Sequence, residues 1–356
     1  MKNIITVVGA RPQFVKAATL SRQFGLQDVN EKIIHTGQHY DANMSEVFFE
    51  EMEIPRPAYQ LDIHGLNHGA MTGKMLRGIE EILINEKPDG VLVYGDTNST
   101  LAGALAAVKL HIPVVHVEAG LRSFNMQMPE EVNRILTDRI SDLLLCPTDT
   151  AVDNLKSEGF DNFHKRIMKN GDVMQDAALY YARKAEQKSD ILQKKNLSDF
   201  VLATIHRQEN TDNPENLRGI INGLNEINRM KAVVVPLHPR TRNILKQQNI
   251  IPEFTIIDPV GYFDMIMLLK SCKMVITDSG GVQKEAFFFG KQCVTMREET
   301  EWVELVKYGY NILAGSNSAK IIAAFCESLF RKSDFTINLY GQGQAAEMAV
   351  REIIAL

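Results

Sequence analysis

Short runs of apolar residues alternate with longer segments in which apolar positions recur at helical spacing. Gly, Asp, Asn or Pro bound the short runs, a pattern typical of buried parallel strands joined by helices. A first series of strands is predicted at residues 4–8, 33–36, 90–94, 114–117 and 143–146. Helices are predicted between them at 12–24, 43–52, 71–85, 99–110 and 129–140.

The pattern restarts near residue 200. Strands are predicted at 200–205, 232–236, 255–257, 274–277 and 293–296, and helices at 216–230, 262–270 and 281–290. The segment 177–199 is rich in Lys, Glu and Gln, which predicts an exposed helix and linker. We therefore expect an α/β protein of two Rossmann-like, doubly wound domains that face each other across a cleft, at 1–175 and 176–340.

Composition and residue spacing argue against several classes of protein. Lys and Arg number 39 and Asp and Glu 44, and the formal net charge of −5 argues against a dedicated nucleic-acid binder. The four cysteines stand far apart without a C-x-x-C pair, which argues against a disulfide framework or zinc ribbon. The spacings of common metal sites and the G-x-G-x-x-G nicotinamide motif are also missing, so we expect no metal and no cofactor.

The sequence shows no sign of membrane insertion. It lacks an uncharged apolar stretch of the roughly 18 residues that a transmembrane helix needs. The apolar run at the N-terminus is too short for a signal peptide. We expect a cytoplasmic protein.

Polar residues directly after the predicted strands are the candidates for chemistry, because ligands of an open parallel sheet bind beyond the carboxyl ends of its strands. After the first strand, Gly9 permits a tight turn and Pro12 suits the first turn of a helix. Arg11 between them would stand beside a helix N-terminus, a favourable place for phosphate oxygens. A surface arginine in a turn fits this pattern equally well.

Three carboxylates follow or adjoin successive elements of the first series. Asp96 and Glu118 each follow a strand, and Glu130 opens a helix. Asp96 or Thr97 would cap the helix that follows, and a cap would explain Asp96 taken alone. The helix dipole would explain at least one of Glu130 and Glu131. Glu118 is less easily explained as a cap. Carboxylates that converge raise one another's pKa, which suits proton transfer near neutral pH.

The second series offers groups suited to an anionic ligand. His206 and Arg207 end its first strand, where they suit contacts with phosphate or sugar. Ser279, Gly280 and Gly281 open a helix, and the bare N–H groups of such a turn form a diphosphate site. We favour this function over a simple cap, because a cap needs no second glycine.

Glu285 lies one turn inside the helix that begins after Ser279. At this distance from the predicted diphosphate site, its carboxylate would accept hydrogen bonds from ribose hydroxyls.

Together these motifs resemble the non-hydrolysing UDP-N-acetylglucosamine 2-epimerase family, in order and over nearly the whole chain. They are Gly-Ala-Arg-Pro with Lys16, Gly95-Asp96-Thr97, 116–122, 129–134, His206-Arg207, 277–281, Gln283 with Glu285, and 340–344. The resemblance implies the two-domain, glycosyltransferase-B-like fold of many nucleotide-sugar enzymes. It also implies a homodimer and a C-terminal helix, at about 341–356, that packs back on the first domain.

The resemblance implies the reaction as well. Family members eliminate UDP from a UDP-sugar, hold the resulting 2-acetamidoglucal, and add UDP back after protonation on the other face. By match to the family's motifs, Asp96, Glu118 and Glu130 carry the proton and sugar chemistry, and Lys16 supports them. His206 is implied as a catalytic or diphosphate contact. The residues implied for binding the UDP-sugar are Arg11, Arg122, Arg134, His206, Arg207, Ser279, Gly280, Gly281, Glu285 and Arg297.

Several segments depart from the usual family pattern. Trp302 and Val303 stand where Arg and Pro are usual, and Gln13 stands in place of Glu. Residues 38–41 and 67–69 differ from the segments that hold a second, allosteric UDP-sugar in bacterial members. Allosteric activation is therefore not implied here.

Residues 9–14, 38–46, 123–126 and 300–304 look instead like the branch that acts on UDP-2,3-diacetamido-2,3-dideoxy-glucuronate. That branch makes the manno epimer for surface polysaccharide, such as O-antigen or capsule. Its sugar is larger at C3 and anionic at C6. Arg122 or Arg297 would contact the C6 carboxylate.

Other functions remain open at this point. They are a UDP-N-acetylglucosamine 2-epimerase that forms UDP-N-acetylmannosamine, a hydrolysing epimerase, a retaining glycosyltransferase of the same fold, and an inactive nucleotide-sugar sensor. A sensor would be expected to lose the acidic groups, yet Asp96, Glu118 and Glu130 are all present.

Overall fold

A computed structural model describes residues 1–38 and 53–356, with the backbone alone for Arg11. The predicted helix at 43–52 and the residues 39–41 lie outside the described residues. By its internal contacts the described chain divides into two units. Unit 1 comprises Met1–Ala177 and Asn338–Leu356, and unit 2 comprises Ala178–Ile337.

The described part of unit 1 is built on one parallel sheet. Its strands are β1 Lys2–Val8, β2 Val29–His35, β3 Tyr59–Gln60, β4 Gly90–Tyr94, β5 Val114–Val117, β6 Leu143–Cys146 and β7 Arg166–Lys169. They pair in the order β3-β2-β1-β4-β5-β6-β7. The central strands β4, β5 and β6 are buried along their whole length, because helices cover both faces of such a sheet.

Unit 2 contains a second parallel sheet. Its strands are β8 Val201–Thr204, β9 Val233–Pro236, β10 Thr255–Ile257, β11 Met274–Thr277, β12 Cys293–Thr295 and β13 Asn311–Leu313. They pair in the order β10-β9-β8-β11-β12-β13. The predicted α/β class with two doubly wound sheets is confirmed.

The helices follow the strands in both units. Those up to the unit boundary are α1 Arg11–Phe24, α2 His68–Glu86, α3 Asn98–Lys109, α4 Pro129–Ile140, α5 Asp149–Ser157 and α6 Val173–Lys188. Unit 2 continues with α7 Ile191–Lys194, α8 Gln208–Thr211, α9 Pro214–Met230, α10 Pro239–Gln247, α11 Tyr262–Ser271, α12 Gly280–Phe288, α13 Val303–Lys307 and α14 Ser318–Phe330. The last helix, α15 Ala345–Ile354, belongs to unit 1 and packs on α1.

Each sheet has a switch point, where the strand order reverses. In unit 1 it lies between β1 and β4, and in unit 2 between β8 and β11. The loops after these strands leave in opposite directions and open a crevice at the carboxyl ends of the strands, which is where doubly wound sheets bind ligands. Both switch points therefore coincide with the loops that the sequence marked as candidates.

Some elements differ from the prediction. The strands β3, β7 and β13 were not predicted, because they have at most one fully buried position each and so lack a continuous buried apolar run. The prediction of an exposed helix at 177–199 is wrong in part. Ala178, Tyr181, Ala185 and Ile191 are buried, so the charged residues of that segment cover only one face.

Among residues 1–38 and 53–356, no helix combines the length and apolarity needed to cross a bilayer.

Asp176 on α6 holds the start of the C-terminal helix α15. Its carboxylate accepts the backbone N–H groups of Ala345 at 3.2 Å and Ala346 at 2.8 Å, and so caps the positive end of α15. Burial nevertheless raises the pKa of Asp176 to about 6, and the nearby Asp172 adds to this effect. The folded chain therefore binds a proton at Asp176 more tightly than the unfolded chain does.

Asp176→Asn is expected to change how stability depends on pH. An acid whose pKa is raised in the folded state stabilises the fold while protonated, and that stabilisation is lost as the pH rises through about 4 to about 6. The free energy of unfolding of the wild type should thus fall relative to Asp176→Asn by about 2 to 3 kcal/mol across this window. Denaturant unfolding at a series of pH values measures the difference, and the exposed Asp153→Asn is the control. If the difference in unfolding free energy between the wild type and Asp176→Asn stays constant with pH, the raised pKa of Asp176 is contradicted.

Candidate active site

The turn after β4 brings three of the predicted residues together. Gly95 has a positive φ of 61°, and a Cβ at this position would lie 3.1 Å from Glu118 Oε2 and 3.3 Å from Lys16 Nζ. Glycine is needed both for the backbone turn and for this close approach. The Asp96 loop therefore packs directly on the Lys16–Glu118 pair.

Lys16 and Glu118 form an ion pair with little exposed surface, at 8% and 10% of their side chains. Glu118 has a left-handed backbone, with φ of 72°, which is unfavourable for a residue other than glycine. Both its N–H and that of Ala119 donate to Leu145 O, at 3.1 and 3.0 Å. The strained backbone of Glu118 at the end of β5 thus places its carboxylate beside the Lys16 ammonium group.

Asp96 is held through both its side chain and its backbone. Arg134, buried on α4, donates to the Asp96 carboxylate, and Asn133 Nδ2 donates to Asp96 O at 2.9 Å. Asp96 does not cap the helix that follows, since Thr97 is the N-cap of α3 and accepts from Thr100 N at 3.3 Å. The cap interpretation of Asp96 is therefore wrong.

The two glutamates that open α4 have different surroundings. Glu130 is exposed, and Glu131 has no exposed surface. Glu131 accepts from Ser123 N and Oγ at 3.0 Å, from Phe124 N at 2.9 Å and from Arg134 Nη1 at 2.7 Å. Glu131 thereby links the loop before α4 to the Arg134–Asp96 pair. Sequence reasoning did not assign it a role, because only burial separates it from its neighbour.

Arg122 does not stand free at the strand ends. Its guanidinium is 2% exposed, donates to Asp138 at 2.7 Å and to both oxygens of Glu158, at 2.6 and 2.8 Å. Asp138 also contacts His116 Nδ1 at 2.7 Å, and His116 Nε2 lies 2.7 Å from Gly95 O. Burial by itself would raise the pKa of Asp138, but the contacts with His116 and Arg122 outweigh it and hold the pKa below its ordinary value.

Asp278 organises the switch point of unit 2. It has no exposed surface, and its carboxylate accepts from His206 N, Arg207 N and Asn210 Nδ2, each at about 3.1 Å. His206 Nδ1 lies 2.8 Å from Asp278 Oδ1, and 57% of the His206 side chain is exposed. Burial alone would raise the pKa of Asp278, but His206 and the N–H donors lower it below its ordinary value. The histidine ring is therefore oriented by its Nδ1 contact and presents its other edge to solvent.

The turn 279–281 after β11 is a capped helix start. Ser279 Oγ accepts from Val282 N at 3.4 Å, and α12 begins at Gly280. A Cβ at Gly280 would collide with the Glu301 carboxylate, whereas a Cβ at Gly281 would meet nothing within 4 Å. A side chain at the first glycine would displace the Glu301 carboxylate, and the second glycine leaves open space at the positive end of the helix.

A cluster of buried charges lies beside this helix start. Arg297 is 4% exposed, and its Nη1 donates to Glu301 Oε2 at 3.0 Å. Its Nη2 has no hydrogen-bond partner within the described part of the chain. Lys284 Nζ lies 3.9 Å from the centre of the Trp302 ring, a cation–π contact. Arg297 therefore retains an unused donor for an anion.

The remaining predicted residues have mixed surroundings. Glu285 is buried, and burial together with the negative charge of Glu285 raises the pKa of Tyr262 well above its ordinary value. Arg207 Nη1 lies 3.6 Å from Glu209. Arg11 is the first residue of α1, and its side chain lies outside the described part.

Two Rossmann-like units, each with a polar cluster at the switch point of its sheet, define an α/β protein of the glycosyltransferase-B-like class. A sequence profile of the UDP-N-acetylglucosamine 2-epimerase family matches residues 25–354. The chain belongs to this family, as its motifs predicted.

Individual relatives agree with this assignment. The chain is 56% identical over 345 residues to the UDP-2,3-diacetamido-2,3-dideoxy-D-glucuronate 2-epimerase of Pseudomonas aeruginosa, covering 96% of this chain and 97% of that protein. It matches the Methanocaldococcus jannaschii UDP-GlcNAc 2-epimerase, solved with UDP-GlcNAc and UDP, with a TM-score of 0.93, 42% identity and coverage of 99% and 100%. The Neisseria meningitidis enzyme bound to UDP-GlcNAc matches with a TM-score of 0.89, 29% identity and coverage of 99% and 100%. The resemblance to the diacetamido-glucuronate branch is thereby confirmed.

Arg122→Met is expected to destabilise unit 1. The substitution removes the guanidinium that donates to the buried Asp138 carboxylate, and breaking a buried ion pair from one side costs about 3 to 5 kcal/mol. Arg77→Met, at a pair with Glu81 whose side chains are 82% and 61% exposed, should cost less than about 1 kcal/mol. Denaturant unfolding compares the two variants. Equal small losses would show that Arg122 is not a structural residue.

Proposed function

We propose that this protein catalyses the reversible C2 epimerisation of UDP-2,3-diacetamido-2,3-dideoxy-α-D-glucuronate to its manno epimer, for the synthesis of a surface polysaccharide. The 56% identity to the Pseudomonas aeruginosa enzyme supports the substrate. The observation that carries the chemistry is the pairing at the strand ends of unit 1, where Glu118 is bound to Lys16 and Asp96 to Arg134.

The C2 hydrogen of this sugar is not acidic, because no carbonyl group lies beside C2. Removal of the C2 proton together with cleavage of the C1–O bond releases UDP and forms a C1=C2 double bond. Protonation of C2 from the other face and return of UDP oxygen to C1 complete the reaction without net change in protons. This chemistry needs proton-transfer groups on two faces and a stabilised diphosphate.

We propose Asp96, Glu118 and Glu130 as the groups that carry the proton and sugar chemistry. Ion pairs with Arg134 and Lys16 hold the Asp96 and Glu118 carboxylates at the strand ends, where we propose that they face the sugar ring. Glu130 is exposed, and the described contacts give it no cationic partner. We propose Glu130 as one of the two proton-transfer groups, with the other among Asp96 and Glu118.

Unit 2 is proposed to bind UDP. Ser279, Gly280 and Gly281 supply N–H groups at the start of α12, and His206, oriented by Asp278, contacts the diphosphate as the C1–O bond breaks. Arg207 and Arg11 add positive charge, and Glu285 contacts the ribose. The division into an N-terminal domain at 1–175 and a UDP-binding domain at 176–340, and a homodimer, are part of the same proposal.

Proton NMR in D₂O tests the reaction. The purified protein is given UDP-2,3-diacetamido-glucuronate and, in a parallel tube, UDP-N-acetylglucosamine. We expect loss of the C2 proton signal and growth of a manno anomeric signal with the uronate. Faster exchange with UDP-N-acetylglucosamine would instead support that sugar as substrate, a second candidate favoured by the 42% identity to the Methanocaldococcus jannaschii UDP-GlcNAc 2-epimerase. Absence of exchange with both would reject epimerisation.

Arg297 is proposed to contact the C6 carboxylate. Arg122 and Arg297 both suited this role by sequence, but the guanidinium of Arg122 is fully engaged by Asp138 and Glu158, whereas Arg297 Nη2 is unused. Arg297→Met should therefore lower kcat/KM for the uronate at least about tenfold more than for UDP-N-acetylglucosamine, because a charge-assisted hydrogen bond is lost only with the uronate. Competition assays with both nucleotide sugars measure the ratio. Equal losses would exclude Arg297 from recognition of the carboxylate.

A further inference from the structure

The side chain of Gln13 connects the two loops that flank the switch point of unit 1. Gln13 lies in the first turn of α1 and is 1% exposed. Its Oε1 accepts from Gly9 N at 2.8 Å and from Ala10 N at 3.1 Å. On the other side, its Nε2 lies 2.8 Å from Tyr94 O and 3.0 Å from the hydroxyl oxygens of Thr97 and Thr100.

An amide suits this position because the two loops need opposite hydrogen-bonding groups. The loop after β1 offers N–H donors and needs an acceptor. The end of β4 offers the Tyr94 carbonyl, which only a donor satisfies.

The partners of Gln13 stand on both sides of Asp96. Tyr94 is the last residue of β4 and Thr97 is the N-cap of α3, so Gly95 and Asp96 span the interval between two anchored points. Lys16, one helical turn beyond Gln13, meets Glu118. The first turns of α1 therefore contact the residues that flank Asp96, through Gln13, and the Glu118 carboxylate, through Lys16.

We propose that Gln13 is a positioning residue, whose side-chain amide fixes the Gly95–Asp96 turn against the Gly9–Ala10 loop and thereby places the Asp96 carboxylate. This proposal rests on the proposed epimerase function and adds to it the residue that sets the geometry of one acidic group. Gln13 itself touches no reacting atom.

The charged groups around Gln13 are few and belong to neighbouring elements. Asp96 with its partner Arg134 adjoins Thr97, and Lys16 follows on α1. His116, on β5, contacts Gly95 O at 2.7 Å. The five contacts of the Gln13 amide described above are all with uncharged groups, so these hydrogen bonds do not change with pH in the wild type.

Gln13→Leu removes the hydrogen bonds of the amide and keeps an uncharged side chain. The Gly95–Asp96 turn then loses its link to the Gly9–Ala10 loop, and the Asp96 carboxylate is no longer held in one position. We therefore expect kcat to fall at least about tenfold, with a smaller change in KM, because UDP binding is assigned to unit 2.

Gln23→Leu is the matched control. Gln23 lies at the other end of α1 and is partly exposed, so the same substitution should leave kcat unchanged. Thermal unfolding of both variants separates loss of activity from loss of fold. A kcat for Gln13→Leu equal to that of the wild type, or one that falls only in proportion to the folded fraction, would overturn the proposal.

A readout without catalysis keeps this test independent of the proposed function. Gln13→Leu removes all the contacts of the amide, so peptides covering both 8–14 and 94–101 should exchange backbone hydrogens faster by mass spectrometry, while Gln23→Leu changes neither. Faster exchange in 8–14 alone would show that Gln13 does not position the Asp96 turn. If the wild type exchanges no C2 proton with either nucleotide sugar, the epimerase function fails, and the hydrogen-exchange result still decides whether the amide joins the loops.

Discussion

Buried carboxylates set the geometry at the carboxyl ends of both sheets, because a carboxylate removed from water must be surrounded by donors or cations. In unit 1, Asp138 has no exposed surface and is held by His116 and Arg122. In unit 2, Asp278 is equally buried and is held by His206 and by backbone N–H groups of the following loop. Each of these two residues ties a strand end to the loop beside it, and the candidate catalytic groups are attached to those loops.

The same requirement explains why the groups proposed for proton transfer are organised in pairs. Lys16 reaches Glu118 from the start of α1, and Arg134 reaches Asp96 from α4. Each pair joins two elements that are far apart in sequence. The left-handed backbone at Glu118 is a local strain that accompanies the contact between two loops. Gly95 leaves the space that this contact needs.

Much of this arrangement follows from sequence pattern. The bounds of β4, β5, β6, β10 and β11 were predicted to the residue. Four of them, β4, β5, β6 and β11, are buried along their whole length, and such a strand is a continuous apolar run between turn residues. The strands β3, β7 and β13 have at most one buried position each and were not predicted. The mixed composition of 177–199 concealed that one side of α6 is buried. Composition averages over both faces of a helix, and burial depends on only one.

The sequence by itself determined the class of fold, the family, and the loops in which the chemistry lies, because apolar periodicity and motif order are local properties of the chain. Only the tertiary structure decided which of two similar residues does which task. It showed that Glu130 is exposed and Glu131 is buried. Arg122 is held by an ion pair with Asp138, whereas one guanidinium nitrogen of Arg297 has no partner among the described residues. It also showed that Gln13 joins two loops. These distinctions depend on burial and on partners more than a hundred residues away in some cases, such as Lys16 and Glu118, and no local pattern encodes them.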